Sequence, residues 1–552
     1  MKHIHAMDEK SVENLEEEVP ESLKNSFFKS IRNYFREYCV CSSIHGFRYF
    51  GEKRTYFERG WWFIVFSITL GICIFFIREV YLKWDRSPVI VSFATTQTPI
   101  YQIPFPAVTI CPETKLQQNL FNYTEILQKM VKDQNDNITE KEYKLFEYMS
   151  MVCNTPDQFG NEEILDKDFF EVLRNVNIVF SDIFIYCEYM GMQYKCKNMF
   201  NPIITDEGIC YSFNMLDKSE IYNPKVVHHK YLNNVPNKTR SGWSMEDGYA
   251  DNVGVDTYPK RALLAGTKNS LQVTLISRKT NIDYTCKSSL QGFRVMLHTP
   301  TRVPLFSQQY FRVPLNQEVV AAIQPNMITT SDSVKMYNPQ RRKCYFPSER
   351  KLKFFLKYTS LNCKLECLAN YTLNECGCVG FYMPRFNDTL LCGSASRECM
   401  RRAERKLQMG TLYNDIIFSK QKNRTRKTKI NGYKKLKFCD CMPICTDFTY
   451  DVETSQTDWQ YIKNLKVLYD EEQLNEDEIH ISKLNLFFKS SNFITSVRHE
   501  LYGPTDFLAN FGGLLGLFTG FSILSLMEIF YFLSVRLICN VRLYGYWAGP
   551  ER

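Results

Sequence analysis

A hydrophobic run near the end of the chain, from Phe507 to Val535, contains glycines at regular spacing. Gly512, Gly516 and Gly520 recur every four residues, so they share one face of a helix, and Gly513 broadens that face. An interior glycine costs roughly 1 kcal/mol relative to alanine, so a segment that served only as a lipid anchor would not favour these residues. Small residues at this spacing allow neighbouring helices to pack closely, and they also leave the backbone bare.

Three polar residues accompany the glycines. Asn510 precedes them, Ser522 follows them, and Glu528 lies further along the run. Polar groups are costly inside a membrane and usually face a protein partner or a water-filled cavity. Carbonyl and hydroxyl oxygens at a helix break can replace part of the water around a cation. The pattern therefore predicts either helix packing or a cation pathway, and for Glu528 either an inter-helix hydrogen bond or a part in conduction.

Two segments are long and apolar enough to cross a bilayer, which requires about 20 residues of helix. The first is Trp61–Ile77, which carries no charge, and the second is Phe507–Val535. Basic residues flank both segments on their outer sides, which predicts that both chain ends lie in the cytosol. One chain with two spans cannot enclose a pore, so a cation pathway requires an oligomer. The predicted organisation is a cytoplasmic segment 1–60, a transmembrane helix 61–82, an extracellular domain 83–505, a second transmembrane helix 506–536 and a cytoplasmic tail 537–552.

The region between the two segments carries extracellular chemistry. It holds sixteen of the twenty cysteines, and an even number is what a fully disulfide-bonded domain requires. Zinc is the alternative, because CDCMPIC (Cys439–Cys445) with Cys363 and Cys367 has ligand-like spacing, but an oxidising compartment favours disulfides, and we predict no metal site. All glycosylation sequons also lie between the segments; they are at Asn122, Asn137, Asn237, Asn370, Asn387 and Asn423.

The extracellular region combines two kinds of periodicity. Lys268–Arg278 and Gly292–Pro300 alternate apolar and polar residues, which predicts strands, and the spacing near residues 122–152 predicts helices. We therefore expect an α+β domain with a β-rich centre. Residues 344–445 hold ten of its cysteines. If two helices run antiparallel there, their cysteines can pair as rungs, each contributing on the order of 2–4 kcal/mol to stability.

Enzyme and nucleic-acid functions have little support. The sequence contains no GxSxG, HExxH, phosphate-loop or dinucleotide motif, so we predict that the protein is not an enzyme. The net charge is +8 at pH 7, and much of it lies in Lys420–Lys437, which contains no acidic residue. This run fits a solvated surface segment or a contact for an anionic partner, and we predict no nucleic-acid partner.

Eight motifs, in order along nearly the whole chain, resemble those of the epithelial sodium channel/degenerin family, and of its insect pickpocket branch in particular. They are IHG (Ile44–Gly46), RGWW at the first span, FPAVTIC (Phe105–Cys111), CYSFN (Cys210–Asn214), YTSLNCKLEC (Tyr358–Cys367), CGCVGFYMP (Cys376–Pro384), CDCMPIC, and YGPTDFLANFGGLLGLFTGFS (Tyr502–Ser522). The resemblance implies a trimeric two-span membrane protein. Its two transmembrane helices flank a large disulfide-rich α+β extracellular domain, with a palm-like β core, helical finger-like excursions and a thumb-like region at 344–445.

The resemblance assigns roles to residues near both ends of the chain. Gly520, Phe521 and Ser522 match the family's GxS selectivity filter. Phe521 stands where the wider family more often has Ala or Ser. His45 and Gly46 match the HG pair of a cytosolic re-entrant segment that supports the filter.

The same resemblance implies a gate above the filter. Ala509 falls at the degenerin position, where a bulky side chain holds the pore open, and Asn510 lies beside it. Glu528 matches an acidic position in the lower half of the pore. The positions implied for packing between pore helices are Gly512, Gly513 and Gly516.

The resemblance also implies a set of disulfides, which are Cys111–Cys210, Cys187–Cys196, Cys344–Cys445, Cys363–Cys441, Cys367–Cys439, Cys376–Cys399 and Cys378–Cys392. Two extracellular cysteines, Cys153 and Cys286, are left over. We predict that they form an eighth bridge.

The function implied by the resemblance is that of one subunit of a sodium-preferring, amiloride-sensitive and voltage-independent cation channel in the plasma membrane. An extracellular chemical or mechanical stimulus would gate it, in a sensory or epithelial setting. It would need no cofactor beyond the permeant sodium ion, and its partners would be related subunits in a homotrimer or heterotrimer. An ATP-gated purinergic receptor also has two spans but lacks the GxS tract and CDCMPIC. A non-conducting or obligate partner subunit that modulates related channels is the other alternative.

Overall fold

A computed structural model describes residues 21–86, 89–132, 138–227, 241–421, 439–469 and 478–549. The chain divides into two compact units. The terminal unit joins the residues up to Ile90 with those from Glu500 onward, and the central unit is Val91–His499. The predicted glycosylation sites Asn137, Asn237 and Asn423 and most of the basic run Lys420–Lys437 lie outside the described residues.

The helices within these ranges are α1 (Glu21–Cys41), α2 (Arg48–Gly51), α3 (Tyr56–Arg86), α4 (Tyr123–Val131), α5 (Glu140–Ser150), α6 (Phe169–Val176), α7 (Cys196–Met199), α8 (Lys218–Ile221), α9 (Asp332–Lys335), α10 (Pro339–Arg342), α11 (Ser360–Cys376), α12 (Arg397–Gln421), α13 (Tyr461–Tyr469), α14 (Pro504–Thr519), α15 (Ile523–Phe530) and α16 (Arg536–Tyr544). A π-helical segment, Tyr531–Val535, joins α15 to α16.

The strands are β1 (Val89–Pro99), β2 (Ala107–Pro112), β3 (Ile164–Leu165), β4 (Phe184–Tyr189), β5 (Met192–Tyr194), β6 (Phe200–Thr205), β7 (Gly208–Phe213), β8 (Trp243–Ser244), β9 (Gly248–Tyr249), β10 (Leu271–Arg278), β11 (Phe293–His298), β12 (Phe311–Val313), β13 (Gln317–Thr330), β14 (Leu391–Cys392), β15 (Asp447–Asp458), β16 (Ile479–Phe488) and β17 (Asn492–Glu500).

Two helical segments of the described part are long and apolar enough to cross a membrane. The first is α3, Tyr56–Arg86, which extends beyond the predicted span at both ends. Glu58 in its first turn and Lys83 and Arg86 in its last turn complement the helix dipole, so the helix continues past its apolar core. The second is the stretch Ile523–Tyr544, which runs on beyond the predicted end of the second span.

An eight-stranded sheet forms the centre of the central unit, in the order β1-β17-β13-β16-β10-β4-β5, with β15 paired to β13. A five-stranded sheet has the order β12-β11-β2-β7-β6. The predicted strands Lys268–Arg278 and Gly292–Pro300 are confirmed as β10 and β11. Every residue of β2 and β7 is buried, as expected for strands that are covered on both faces. The central unit is therefore the α+β domain that the periodicity predicts.

Local sequence explains where the predicted helices near residues 122–152 begin. The side-chain oxygen of Asn122 accepts a hydrogen bond of 3.1 Å from the backbone amide of Glu125 and caps α4. Thr139 and Glu142 form a capping box at the start of α5. Of the described glycosylation sites, Asn387 is exposed, and Asn122 and Asn370 are partly exposed.

All sixteen cysteines of the central unit are paired. Seven of the pairs are those implied by the resemblance, and the eighth is Cys153–Cys286. The sulfur atoms proposed above as alternative zinc ligands are thus in disulfides. Within the described ranges, no group of three or more His, Cys, Asp or Glu residues is placed to hold a metal ion.

Cys376–Cys399 joins the end of α11 to the start of α12, but two other rungs of the thumb-like region do not join two helices, which corrects that part of the arrangement considered from the sequence. Cys363 and Cys367 lie on α11, but their partners Cys441 and Cys439 lie in a non-helical segment before β15. Four residues of helix and two residues of extended chain each cover roughly 6 Å, so the two spacings match. One helix and one extended segment running past it in reverse order are therefore sufficient to form the rungs.

His298 is a buried, neutral histidine at the end of β11, with 1% of its surface exposed. Its Nδ1 lies 2.9 Å from the carbonyl oxygen of Thr299, which can only accept, so Nδ1 carries the ring proton. Its Nε2 lies 2.8 Å from the hydroxyl of Thr109 and accepts from it. Burial lowers the pKa of His298 to about 4, because a charged ring would lose its hydration.

We expect acid to destabilise the central unit partly through His298. The unfolded chain binds a proton on this ring below its ordinary pKa of 6.5, whereas the folded chain does not until about pH 4. The contribution of His298 to the free energy of unfolding is therefore complete above pH 6.5 and is lost as the pH falls toward about 4. The loss amounts to up to about 3 kcal/mol. The apparent unfolding temperature of the full chain, measured near neutral pH and near pH 5, should fall less in His298→Gln than in the native sequence. An equal fall in both proteins would assign the acid sensitivity to other groups.

Candidate functional site

Helix α14 packs against α3 through one face. The ring centroids of Phe518 and Phe76 lie 5.9 Å apart, and those of Phe507 and Trp84 lie 5.5 Å apart. The thiol of Cys73, which is fully buried, lies 3.7 Å from the carbonyl oxygen of Leu514. Each helical residue advances by about 100°, so these α14 residues share a single face.

The opposite face of α14 is made of small residues. Ala509, Gly512 and Gly513 are exposed, and a methyl group added at any of the helical glycines up to Gly516 would meet nothing within 4 Å. Asn510 is also exposed, and its amide donates to the carbonyl oxygen of Asp506 at 2.9 Å. No other element of the described chain covers this face, so it is open to a partner chain, lipid or solvent.

The second hydrophobic run is not one helix, because its backbone breaks after Thr519. Gly520 adopts a left-handed conformation with φ of +66°, which ends α14, and glycine reaches this region without steric cost. Ser522 then caps α15, since its hydroxyl accepts from the backbone amide of Ser525 at 3.3 Å. The break therefore falls on Gly520, Phe521 and Ser522, the tract singled out from the sequence.

A turn near the start of the chain closes the end of α14. The backbone amide of His45 donates to the carbonyl oxygen of Thr519 at 2.9 Å, which satisfies a group that the broken helix leaves unpaired. A methyl group at Gly520 would lie 2.7 Å from the His45 ring, so the turn and the break are in direct contact. Gly46 follows in a left-handed conformation with φ of +87° and lets the chain reverse.

Ser43 connects the same turn to the helix below the break. Its backbone amide and its hydroxyl both lie 3.0 Å from one carboxylate oxygen of Glu528. Its hydroxyl is also 2.7 Å from that of Ser525, which is fully buried and in turn 3.3 Å from the hydroxyl of Ser522. The carboxylate of Glu528 thus accepts two hydrogen bonds from the start of the chain, an arrangement that fits the inter-helix interpretation of this residue.

Helix α1 packs along the end of the second membrane segment. The hydroxyl of Tyr34 donates to the carbonyl oxygen of Phe532 at 2.5 Å, within the π-helical segment. Glu37 and Arg536 form an ion pair of 2.5 Å, and the Tyr34 ring lies 5.9 Å from that of Trp547. The N-terminal helix is thus bonded to both the backbone of the π-helical segment and the residue that follows it.

Ser43, Ser525 and Tyr34 belong to the site but are not predicted from the sequence. Ser43 is 485 positions from Glu528, and nothing in the sequence links the two. Their positions could have pointed to the site, because Ser43 lies beside the HG pair and Ser525 lies one turn after the GxS tract. The structure brings His45 and Gly46 to the break, whereas Ala509 and Asn510 lie higher on α14 and do not contact that turn.

This arrangement can coordinate a cation without any metal-binding cluster. Residues 520–522 place a non-helical backbone and the Ser522 hydroxyl inside a membrane segment, and carbonyl and hydroxyl oxygens are the groups that replace the hydration shell of a permeating cation. Non-helical backbone at membrane depth is tolerated where it is covered by protein or lines water. The contacts from Ser43 and His45 cover it on one side.

The chain is similar to known proteins over almost its whole length. Residues 38–532 match the model of a family described as the amiloride-sensitive sodium channel. Pickpocket protein 28 of Drosophila melanogaster is 28% identical over 527 residues, which cover 92% of this chain and 79% of that protein. Sodium channel protein Nach of the same organism is 23% identical over 544 residues, covering 96% and 92%. Acid-sensing ion channel 2 of Homo sapiens is 24% identical over 370 residues, covering 65% and 58%.

Cysteines placed at Ser43 and Ser525 should form a disulfide within one chain, because the two hydroxyl oxygens lie 2.7 Å apart. The test requires a background in which the free cysteines Cys39, Cys41, Cys73 and Cys539 are replaced by serine. Mass spectrometry of non-reduced peptides after mild oxidation detects the bridge.

A matched control pairs Ser43→Cys with Ser534→Cys, since Ser534 is exposed on the same helical stretch and bonds only to its own helix. The first pair should cross-link and the second should not. Equal cross-linking in both pairs, or none in either, would contradict the contact.

Proposed function

Because the chain belongs to the amiloride-sensitive sodium channel family, we propose that it is one subunit of a trimeric, voltage-independent cation channel of the plasma membrane that prefers sodium and is blocked by amiloride. Channels of this family assemble from related subunits in the membrane. Two of the relatives, Nach and acid-sensing ion channel 2, are named as channels, and we propose no enzymatic activity. Sodium is the permeant ion, and the proposal includes no cofactor.

One observation carries the proposal, which is the uncovered small-residue face of α14. It points away from α3 and has no partner among the described residues of the chain. In a symmetric trimer the same face of three subunits would surround one axis. By helical spacing, Ala509 and the glycines lie on this face, and the break at Gly520 follows it directly. A cation moving along the axis would then meet bare backbone and the Ser522 hydroxyl.

Each site residue takes a role in this proposal. Residues 520–522 form the selectivity filter, and the turn with His45 and Gly46 holds it from the cytosolic side. Ala509 and Asn510 form the gate, where the three α14 helices approach one another. The two hydrogen bonds from Ser43 support a positioning role for Glu528 instead of direct contact with the cation.

The proposed orientation has both chain ends in the cytosol and the disulfide-bonded central unit outside, because disulfides persist in oxidising compartments. An extracellular chemical or mechanical stimulus gates the channel in a sensory or epithelial tissue. A ligand can shift the closed and open populations only by binding one state better.

A second candidate function is that of a partner subunit that does not conduct alone. Phe521 favours it, because a bulky side chain stands in the middle of the filter tract, where the wider family more often has Ala or Ser. Such a subunit would modulate related channels and need them in the same trimer.

Ala509→Val tests the proposed pore and gate together. A larger side chain on the face where three α14 helices meet should destabilise the closed packing by about 1–3 kcal/mol, which raises the ratio of open to closed channels roughly fivefold or more. Two-electrode voltage clamp of oocytes should record a constitutive sodium current that amiloride blocks. Ala509→Ser, which stays small at the same position, should remain at the native level.

Absence of sodium current in Ala509→Val, despite confirmed surface expression, would reject conduction by the chain alone. Current that appears only when related subunits are co-expressed would favour the partner-subunit function. Absence of current on co-expression as well would leave helix packing as the explanation of the glycine face.

Gly520→Ala should reduce the current carried by the Ala509→Val background by about tenfold or more, because the substitution strains a left-handed backbone and drives a methyl group into the His45 ring. Gly71→Ala is the matched control, since Gly71 lies in the other span and a methyl group there meets nothing within 4 Å. The measurement is amiloride-blocked current normalised to surface protein. Equal effects of the two substitutions would indicate general damage to the spans.

A further inference from the structure

Three serine hydroxyls and one carboxylate form a continuous hydrogen-bonded chain beside the break at Gly520. The carboxylate of Glu528 lies 3.0 Å from the hydroxyl oxygen of Ser43, which lies 2.7 Å from that of Ser525. The hydroxyl oxygen of Ser525 lies 3.3 Å from that of Ser522. We call these four groups the hydroxyl chain. It connects a charged group of α15 to the candidate filter.

The carboxylate sets the direction of every hydrogen bond in the hydroxyl chain. A carboxylate only accepts, and a hydroxyl has one proton, so the proton of Ser43 points to Glu528. The backbone amide of Ser43 donates to the same carboxylate oxygen at 3.0 Å, so this oxygen is an acceptor. Because the proton of Ser43 is engaged, Ser525 must donate to Ser43. The proton of Ser525 is then engaged as well, and Ser522 must donate to Ser525.

Ser525 uses its full hydrogen-bonding capacity in this arrangement. Its hydroxyl donates once, to Ser43, and accepts twice, from the hydroxyl of Ser522 and from the backbone amide of Ser522 at 3.1 Å. A hydroxyl has one donor and two acceptor positions, so none is left unpaired. Ser525 has no exposed surface, and a buried hydroxyl with an unmade hydrogen bond is costly. Burial of Ser525 therefore favours this proton order.

Ser522 is left as an acceptor on its exposed side. Its proton points to Ser525, and one of its lone pairs accepts from the backbone amide of Ser525 at 3.3 Å. The second lone pair has no partner within the described residues, and Ser522 is exposed. A cation that reaches Ser522 would meet an oxygen whose proton is turned away. A serine hydroxyl without this constraint can rotate and present its proton instead.

We propose that Glu528 and Ser43 fix the hydroxyl protons so that Ser522 faces the permeating cation only as an acceptor. Ser43 and Ser525 are then positioning residues for ion selectivity, although neither touches the cation. A stronger field from the coordinating oxygens favours the smaller of two cations, so the fixed proton order favours sodium over potassium. The inference rests on the proposed channel function, because it needs the filter at residues 520–522. The proton order itself is a property of one chain, and it can be tested without any current.

Ser43→Ala removes the middle of the hydroxyl chain. Ser525 then has no acceptor other than Ser522, so the Ser522 proton is free to turn toward the cation. Reversal potentials in sodium and potassium solutions, recorded in the Ala509→Val background, should give a sodium-to-potassium permeability ratio that is lower by about threefold or more. Ser43→Thr retains a hydroxyl at the same position and should rescue the ratio.

The permeability ratio separates this role from a purely structural one. If Ser43 only held the turn in place, Ser43→Ala would change the size of the current and leave the ratio as it was, which would overturn the proposal. Ser534→Ala is the matched control, since Ser534 lies on the same helical stretch and its hydroxyl donates to the carbonyl oxygen of Phe530 in its own helix. The control should retain the ratio of the background channel. An equal fall in the control would indicate general damage to the helical stretch and would also overturn the proposal.

The unfolding temperature of the purified full chain in lipid nanodiscs tests the proton order without a current. Ser522 and Glu528 share no hydrogen bond within the described residues, so Ser522→Ala and Glu528→Leu should lower this temperature independently unless the hydroxyl chain couples them. The coupling predicts that the fall in the double variant is smaller than the sum of the two single falls. In the Ser43→Ala background the two falls should add. Falls that add in the presence of Ser43 would overturn the proton order.

The two measurements distinguish failure of this inference from failure of the channel function. Absence of current in Ala509→Val, together with non-additive falls in the unfolding temperature, would reject conduction by the chain alone and support the proton order. A sodium current together with additive falls would support the channel function and reject the proton order.

Discussion

The structure of the terminal unit depends on how a helix can be broken within a membrane segment. A break leaves backbone groups without partners, and the hydrocarbon offers none. Here Gly520 ends α14 in a left-handed turn, Ser522 starts the next helix, and the backbone amide of His45 satisfies the carbonyl of Thr519. The extended tract of the candidate filter is therefore possible only because a turn from the other end of the chain lies against it.

This dependence explains why the two ends of the chain form one unit. Ser43 donates twice to Glu528, and Tyr34 and Glu37 hold the π-helical segment and Arg536. A carboxylate inside a membrane segment is costly unless it is hydrogen-bonded, and Ser43 supplies those bonds. The glycine face of α14, in contrast, is not covered by any described residue of the chain. In the proposed trimer another subunit covers it.

The central unit is stabilised by different means. Its two sheets bury β2 and β7 completely, and eight disulfides restrain the segments around them. In the thumb-like region two disulfides connect α11 to an extended segment, and a third connects it to α12.

The sequence by itself determined the two apolar segments, the strands β10 and β11 and the even cysteine count, because each of these depends on local periodicity or on residue type. The positions of the candidate filter came from the resemblance to the GxS motif of a known family. The sequence also indicated that Gly520 would permit a break, since only glycine adopts that backbone freely. Only the tertiary structure decided which groups satisfy the break, that Glu528 is bonded to Ser43, and that two of the rungs use an extended segment instead of a second helix. These features join residues that are far apart in the chain, and the free energy of such contacts depends on distance and burial in the folded protein, which no local pattern encodes.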